Sequence, residues 1–511
     1  MLVKIKSCAL SGLDANIVEV EVDASKGLPG QTIVGLPDAA VKESRDRVKA
    51  AIVNSGFEHP ANYFTINLAP ADVRKVGPMY DLPIAVGMLS ASGKIDPSKV
   101  DGSVILGELS LDGGVRPVQG VLPICIVMRE RGQRKVIVPE ENANEAALVE
   151  GLEVLPVKNL DQVVKFLSGM EKIKPFRIDI KALFEQNEES HIDFSDVKGQ
   201  AHVKRALEIA AAGGHNILMV GPPGSGKTML AKRLPTILPP LSLEESLEVT
   251  KLYSVVGLLN SKASLITRRP FRSPHHTTSD IGIVGGGRIP RPGEISLSHM
   301  GVLFLDEFPE FDRAVLEVLR QPLEDGKVTI SRAMSSVTFP AEFMLVAAMN
   351  PCPCGNFMDR TKECRCPPSK VQKYWAKLSS PLVDRIDLHV EVPRLRQDEL
   401  SSMKPGEKSS TIRERVSKAR EIQRGRFRST SVHSNASMSS RQIKEFCSLG
   451  GDAEQLLKTA VFQLKLSARA YDRILKVART IADLEEEELI LAKHVAEATQ
   501  YRALDRSSMF T

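Results

Sequence analysis

The sequence predicts an α/β protein built around a parallel sheet, and three observations support this prediction. The motif G-x-x-x-x-G-K-[ST] lies between an apolar run at 216–220 and a helical segment at 229–234. A second apolar run, 301–305, ends in the acidic pair Asp306-Glu307. The N-terminal third of the chain alternates short strand-like runs with helical stretches. Strands that alternate with helices are typical of parallel sheets.

The composition is that of a globular protein, and the 511 residues suggest about three domains. Aromatic residues make up 5%, which argues against binding by stacking many bases. A net charge of +5 over this length does not by itself indicate a polyanionic partner. No apolar run reaches the roughly 18 residues of a membrane span. Seven cysteines, four of them clustered, favour a reducing compartment, so we expect a cytoplasmic protein with no membrane partner.

Residues 1–170 are predicted to form one α/β domain. The expected strands are 16–22, 63–67, 103–109 and 135–138, and the expected helices are 38–55, 81–90, 121–131 and 140–150. A hairpin turn is expected at Asp112-Gly113-Gly114.

Two segments of this domain, 75–81 and 107–118, resemble the proteolytic domain of Lon proteases. That family uses a Ser–Lys dyad, with the serine directly after a Gly-Pro pair. Here Met79 follows the Gly-Pro pair, and Leu122 is expected at the place of the lysine. The resemblance therefore implies a Lon-like (S5 domain 2-like) fold, while the loss of both dyad residues predicts a scaffolding or assembly role without peptidase activity.

The glycine-rich motif predicts a phosphate-binding loop for ATP, because its backbone N–H groups can surround an anion and the following helix adds its positive end. Lys227 would reach the β- and γ-phosphates, and the Thr228 hydroxyl would bind Mg²⁺. The alternative is a chance glycine-rich turn. The loop residues are Gly221, Pro222, Pro223, Gly224, Ser225, Gly226, Lys227 and Thr228.

Polar residues also follow the next two predicted strands. Asp306 is expected to hold Mg²⁺ through its water shell, and Glu307 to orient the attacking water. Asn350 follows the apolar run 343–349 and resembles the sensor-1 asparagine of AAA+ ATPases, which contacts the γ-phosphate or the water. The alternative for Asn350 is a cap or turn residue.

Two further segments resemble AAA+ motifs that supply arginines. Segment 379–388 resembles the one that carries the arginine finger, which implies that Arg385 is donated to a neighbouring subunit of a ring. Segment 466–473 resembles sensor 2, which implies Arg469, with Arg473 as the second choice, as a phosphate contact. Either arginine could instead be a solvated helix residue.

Two insertions, 270–299 and 326–332, match in position the helix-2 insert and presensor hairpin of the AAA+ clade that includes magnesium-chelatase motors and MCM helicases. The resemblance implies that Lys327 and Arg332 contact DNA in a ring pore; the alternative is that they only solvate the hairpin. His275 and His276 could bind a metal or be simply exposed.

Segment 404–445 has eleven basic and four acidic residues, so it is either a solvated face or a phosphate-binding one.

Four cysteines form the pattern C-x-C-x9-C-x-C in a segment rich in proline and glycine. Thiolates at such close spacing suit a tetrahedral Zn²⁺ site, in which the metal would stabilise a loop that has no core of its own. Free surface thiols are the alternative. The cysteines are Cys352, Cys354, Cys364 and Cys366.

Residues 193–505 resemble the magnesium-chelatase-like AAA+ ATPases, and the Lon-like domain together with the Asn-Pro-Cys-Pro-Cys-Gly stretch narrows the resemblance to the ComM/YifB family. The resemblance implies a homo-hexameric ring that hydrolyses ATP to move on single-stranded or branched DNA and drive branch migration in recombination and natural transformation. A chelatase motor subunit and an ATP-dependent protease are the alternatives. The predicted divisions are a Lon-like domain 1–170, a linker 171–192, an AAA+ core 193–395, a basic connection 396–436 and a helical lid 437–511.

Overall fold

The computed structural model describes residues 1–502 except 59–60, 186–191, 260–264, 333–334, 358, 360–361, 395–405, 429, 431 and 465–466. The chain divides into two compact units. The first comprises Met1–Asn187, Leu243–Thr267 and Ser331–Val337. The second comprises Glu188–Ser242, Arg268–Ile330 and Thr338–Thr511. Among the described residues, no helix combines the length and apolar character that crossing a bilayer requires.

The first unit is built on a mixed seven-stranded sheet with the strand order β3-β4-β2-β1-β5-β8-β9. In β2, Val18, Val20 and Val22 are buried, while the intervening glutamates point outward, as the period of two in a strand requires. The strands are β1 Leu2–Ser11, β2 Asp14–Ser25, β3 Gly30–Val34, β4 Tyr63–Ala69, β5 Ser103–Ile105, β8 Lys135–Pro139 and β9 Glu153–Val157, with a separate hairpin of β6 Glu108–Leu109 and β7 Val115–Arg116.

The helices of the first unit cover this sheet. Every residue of Asp81–Ala91 is buried, since the helix is mostly apolar on all sides and its one charged residue, Asp81, pairs with Arg47 at 2.8 Å. The predicted hairpin turn lies between β6 and β7, whose register pairs Leu109 with Val115. The helices are Ala39–Asn54, Asp81–Ala91, Pro97–Val100, Val121–Glu130, Ala143–Ala146, Leu160–Leu167, Ile180–Glu185 and Leu243–Val256, with 3₁₀ turns at Pro78–Tyr80 and Glu140–Asn142.

The first unit extends beyond the residues predicted for it. Within the predicted linker, Ile180–Glu185 is helical, and the Phe176 N–H donates to Val154 O at 2.8 Å. The later part of that linker lies outside the described residues. Leu243–Thr267, which was predicted to be part of the core, also belongs to the first unit, and Leu265 is buried in its hydrophobic core. Apolar side chains at 173–184 drive the first extension.

The second unit contains a five-stranded sheet with the order β11-β14-β17-β10-β18, and its paired strands are parallel. The three central strands are apolar along their whole length and fully buried, as expected for a sheet covered on both faces. The strands are β10 Ile217–Val220, β11 Phe271–Arg272, β14 Val302–Leu305, β17 Met344–Met349 and β18 Leu388–Glu391.

Two small hairpins are separate from this sheet, and Ser331–Val337 of the second hairpin is assigned to the first unit. They are β12 Gly285–Gly286 with β13 Arg291–Pro292, and β15 Lys327–Arg332 with β16 Ser335–Pro340. The second is the hairpin predicted at 326–332. Phe271–Arg272, at the start of the first predicted insertion, is the edge strand of the main sheet, with Phe271 stacked on Phe304 at 5.8 Å.

Helices complete the second unit, and the buried residues of the C-terminal helices share one core with the sheet. The helices are Ala201–Gly213, Lys227–Ile237, Asp280–Val284, Glu294–Leu297, Arg313–Val318, Pro322–Asp325, Pro368–Trp375, Ser380–Val383, Ser409–Arg426, Ser440–Phe446, Gly451–Leu464, Ala468–Leu484 and Ala492–Gln500. The 3₁₀ turns are Phe194–Asp196, Phe308–Glu310 and Asn435–Ser437.

Candidate nucleotide-binding site

The sheet order of the second unit brings three strand ends together. Strand β17 lies between β10 and β14, and Val220 pairs with Met349 while Leu305 pairs with Ala347. The segments that follow these strands therefore meet at the carboxyl edge of the sheet, where parallel α/β sheets bind ligands.

The glycine-rich loop joins β10 to the helix Lys227–Ile237. Gly224 and Gly226 have φ of 77° and 91°, values that favour glycine. A Cβ on Gly221 would lie 2.2 Å from Val392 O, so only glycine fits there. The loop thus has the strand–loop–helix context that a phosphate site requires.

Lys227 is buried at the first position of its helix. Its ammonium donates to Gly221 O at 2.7 Å, to Pro222 O at 3.1 Å and to Asn350 Oδ1 at 3.3 Å. Burial lowers the pKa of Lys227. These contacts bring the loop lysine and the asparagine after β17 to one point.

Thr228 and Asp306 form the second contact between strand ends. The Thr228 hydroxyl donates to Asp306 Oδ2 at 2.6 Å. A hydroxyl and a carboxylate are the oxygen donors that Mg²⁺ prefers beside phosphates. The pair could therefore hold the magnesium ion of a bound nucleotide.

Glu307 has a partner that the sequence did not reveal. Its Oε2 lies 3.1 Å from His276 Nδ1, and the His276 ring lies tilted against the His275 ring, with centroids 4.2 Å apart, and edge-on to Phe311. The Glu307 backbone has φ of 53°, an uncommon value for a residue with a side chain. His276 is thus partly buried rather than simply exposed. It contacts the acid beside the strand end.

These residues line one cavity of about 640 Å³. It combines a lysine, two carboxylates, an amide and the N-terminus of a helix, and so offers anion-binding and metal-binding groups side by side. The lining residues are Pro223, Gly224, Ser225, Gly226, Lys227, Thr228, Met229, Ser273, Pro274, His275, His276, Asp306, Glu307, Met349 and Asn350.

Known proteins are similar to this chain over nearly its whole length. The families "Subunit ChlI of Mg-chelatase", "Magnesium chelatase, subunit ChlI" and "Magnesium chelatase, subunit ChlI C-terminal" match residues 20–142, 193–400 and 406–502. YifB of Escherichia coli (strain K12) is 47% identical over 502 residues, covering 98% of this chain and 96% of the relative. Competence protein ComM of Haemophilus influenzae is 46% identical over 505 residues, covering 98% and 97%. The chain belongs to the magnesium-chelatase-like ComM/YifB family.

A shorter match concerns Lon proteases. Lon protease 2 of Bacillus subtilis is 29% identical over 182 residues, about a third of either chain. It supports the Lon-like fold predicted for this ComM/YifB member. The residues at the predicted dyad positions are apolar and buried: Met79 is 6% exposed and Leu122 is fully buried.

The arginines predicted for the site lie elsewhere in this ComM/YifB chain. Arg385 donates to Pro381 O at 2.7 Å and pairs with Glu324. Arg473 pairs with the buried Asp387, whose pKa it lowers against the effect of burial. Arg469 is exposed. The cavity's lining, as far as the structure describes the chain, includes none of these arginines, and their roles stay predictions.

The basic residues predicted to contact DNA have different surroundings. Lys327 and Arg332 are exposed at the two ends of β15, and their role also stays a prediction. In the segment 404–445, three arginines bind other groups of the same chain: Arg415, Arg420 and Arg426. Lys404 lies outside the described residues. Arg415 pairs with Glu208 at 2.6 Å, Arg420 donates to Ala211 O at 3.1 Å, and Arg426 donates to Asp483 Oδ2 at 2.8 Å.

The four cysteines converge, although they lie up to fourteen positions apart. Their sulfur atoms all lie within 4.8 Å of one another, and Cys352 Sγ is 3.7 Å from Cys364 Sγ. A tetrahedron with Zn–S bonds of about 2.3 Å has S–S edges of roughly 3.8 Å, so the geometry suits zinc. The N–H groups of Asn356 and Arg365 lower the pKa of Cys354 to about 6, whereas burial and the neighbouring sulfur atoms raise the pKa of Cys364 and Cys366.

Proposed function

We propose that this protein is an ATP-hydrolysing motor that acts as a homo-hexameric ring on single-stranded or branched DNA and drives branch migration in recombination and natural transformation. The observation that carries the proposal is the convergence of Lys227, Thr228, Asp306, Glu307 and Asn350 on one cavity. Its volume is within the range of about 300–1,000 Å³ of small-molecule sites. A relative that matches 98% of the chain is named a competence protein, which supports a role in natural transformation.

Each residue of the cavity has a proposed step. Lys227 and the N–H groups of the loop bind the β- and γ-phosphates, while Thr228 and Asp306 would hold magnesium. Bound Mg²⁺ would neutralise charge on these phosphates during transfer. Glu307 orients the attacking water, and Asn350 holds the γ-phosphate or that water in line.

The proposed roles of the arginines require a ring of several subunits. Arg385 contributes nothing to the cavity of its own chain as described, so we assign it to the cavity of the next subunit, where its planar guanidinium would stabilise the transferring phosphoryl group. Arg469 is assigned to a phosphate in the same assembly. Lys327 and Arg332 are assigned to the DNA backbone, where contacts would not depend on base sequence.

The family descriptions name magnesium chelatase, which makes a chelatase motor subunit the second candidate. We disfavour peptidase activity because Met79 cannot act as a nucleophile. We also propose that Cys352, Cys354, Cys364 and Cys366 bind one structural Zn²⁺ ion per chain.

ATP hydrolysis measured without DNA and with single-stranded, duplex and branched DNA tests the function. We expect stimulation by branched or single-stranded DNA. Glu307→Gln is expected to keep ATP affinity and to lower turnover by roughly a thousandfold, because it removes the water-orienting carboxylate and little else. Near-normal turnover of this variant would reject the role of Glu307. A rate of ATP hydrolysis that no DNA changes would reject the DNA motor. Degradation of casein would instead support an ATP-dependent protease.

A further inference from the structure

The cysteine loop, residues 352–366, begins directly behind the nucleotide cavity. Cys352 is fully buried and follows Asn350 by two positions. Asn350 itself lines the cavity. The first zinc ligand and a cavity residue are therefore joined by one residue, Pro351.

The same loop packs against the phosphate-binding loop. Gly355 has φ of 79°, and its N–H donates to Cys352 O at 2.9 Å. A Cβ on Gly355 would lie 2.4 Å from Pro223 Cδ. The backbone of the cysteine loop thus touches the phosphate loop with no room for a side chain.

Two hydrogen bonds reinforce the arrangement. Arg394 donates to Pro223 O at 2.9 Å and lies 3.7 Å from Asp359 of the cysteine loop. Trp375, in the helix after the loop, donates through its indole N–H to Pro351 O at 3.0 Å. The carbonyl groups of Pro223 and Pro351 are therefore both bound by side chains that follow the cysteine loop in the sequence.

We infer that the four-cysteine site is a positioning element for ATP hydrolysis: Zn²⁺ bound there holds Pro223 and Asn350 in place, so the occupancy of the metal site sets the rate of turnover. This inference rests on the proposed ATPase. A loop rich in proline and glycine has no core to fix it, and four metal–thiolate bonds supply that rigidity. Without the metal, Gly355 and Pro351 lose their fixed positions relative to the cavity.

Turnover is expected to depend on the metal more than ATP binding does. Most phosphate contacts come from the loop backbone and Lys227, which stay attached to β10 and its helix. Alignment of the γ-phosphate with water is more sensitive, because a shift of about 1 Å can cost roughly a hundredfold in rate. We expect zinc removal to lower kcat about ten- to hundredfold and to change ATP affinity less than about threefold.

The first experiment compares protein purified without chelator, the same protein after chelation, and the chelated protein resupplied with Zn²⁺. Elemental analysis, ATP affinity, DNA-free turnover and fluorescence of Trp375, the sole tryptophan, are measured on each. About one zinc per chain, a fluorescence change on its removal and recovery of both fluorescence and turnover on its return would support the inference. Equal turnover with and without zinc, or no zinc binding, would overturn it.

Variants distinguish the effect of losing zinc from the effect of losing the contact between Gly355 and Pro223. Cys364→Ser with Cys366→Ser is expected to lose zinc and turnover, while Cys447→Ala, which removes a thiol outside the cluster, keeps both. Gly355→Ala is expected to keep zinc but to lose turnover, because its Cβ would displace Pro223. Gly56→Ala is the matched control, since Gly56 has φ of 85° and open space around its Cβ position.

The outcomes distinguish the inference from the proposed function. If DNA does not stimulate ATP hydrolysis, the effect of zinc on turnover can still be measured, because turnover is measured without DNA. If no preparation hydrolyses ATP, the ATPase fails, and the inference fails with it. If Gly355→Ala turns over like Gly56→Ala, the contact with Pro223 has no positioning role and the inference is rejected while the ATPase stands.

Discussion

Each unit of this protein has a glutamate that interacts with neighbouring side chains, yet the two glutamates have opposite surroundings. Glu145 of the first unit is 7% exposed and accepts hydrogen bonds from Leu122 N at 2.8 Å and from Ser254 Oγ. Burial raises the pKa of Glu145. Glu307 of the second unit has a 55% exposed side chain that lines the large cavity. A carboxylate surrounded by internal donors stabilises the fold, whereas one that faces an open cavity is available to a ligand.

In the Lon-like region, the buried Glu145 carboxyl stabilises the start of a helix. Helix Val121–Glu130 begins at Gly120, which has no side chain to cap it, and Glu145 accepts from the free N–H of Leu122 instead. A cavity of about 270 Å³ lies beside Glu145, but the glutamate's oxygens are engaged by Leu122, Ser254 and Asn142. The first unit therefore keeps the Lon-like architecture and uses its buried acid for structure.

The largest expected effect that tests this contrast comes from Lys227→Ala. It removes the ammonium that would pair with the phosphates, so ATP affinity is expected to fall roughly a hundredfold, about 3 kcal/mol. Titration with a fluorescent ATP analogue measures the affinity, and thermal unfolding without nucleotide checks that the variant is folded, because Lys227 also donates to Gly221 O and Pro222 O. Lys232→Ala, on the same helix, is the control. Unaltered affinity of Lys227→Ala would remove this cavity as the ATP site.

Glu145→Ala is expected to show the opposite pattern. It leaves the buried Leu122 N–H and the Ser254 hydroxyl without their acceptor, which costs about 2 kcal/mol of unfolding free energy. Urea unfolding measures the loss, and ATP turnover of the folded protein is expected to stay at the wild-type level. Glu141→Ala, a change in the neighbouring 3₁₀ turn, is the control. A variant as stable as wild type but deficient in turnover would break the contrast between the two glutamates.

His276→Ala is expected to have the smallest effect. The histidine contacts Glu307 at 3.1 Å but is assigned no bond to the nucleotide, so its loss frees the carboxylate without removing it. We expect kcat to fall three- to tenfold, about 1 kcal/mol, with little change in KM. His276→Asn, which keeps an N–H donor, is expected to recover part of the rate, and His275→Ala serves as the comparison. Wild-type kcat in His276→Ala would mean that the contact does not position Glu307.

The parts of the fold and site that could be predicted from the sequence are those encoded by contiguous residues. The phosphate loop, the strand before Asp306 and the four cysteines each combine residue type with short spacing, and the structure brings them together as separate strand ends of one parallel sheet. The hairpin turn at 112–114 was predicted for the same reason, because glycine and aspartate mark it locally.

The unpredicted parts depend on contacts between residues distant in sequence. His276 meets Glu307 from a loop 31 positions earlier, and no local pattern distinguishes it from His275. Glu145 and Ser254 are 109 positions apart. Arg426 looks like an unpaired charge in the sequence, because its partner Asp483 lies outside the basic segment. Arg415 pairs with Glu407 inside that segment and also with the distant Glu208. Pairing of this kind is decided by tertiary packing.

The discontinuity of the first unit has a consequence for synthesis of the chain. Its hydrophobic core includes Leu265, so that core is incomplete when Asn187 leaves the ribosome and stays so until Leu243–Thr267 has followed. At about 5–20 residues per second, the intervening stretch of roughly 80 residues takes about 4–16 s to make. By then the phosphate loop has already been translated. Vectorial folding of the two units must therefore be interleaved, and a nascent chain stalled before residue 243 would present an unfinished N-terminal unit to chaperones.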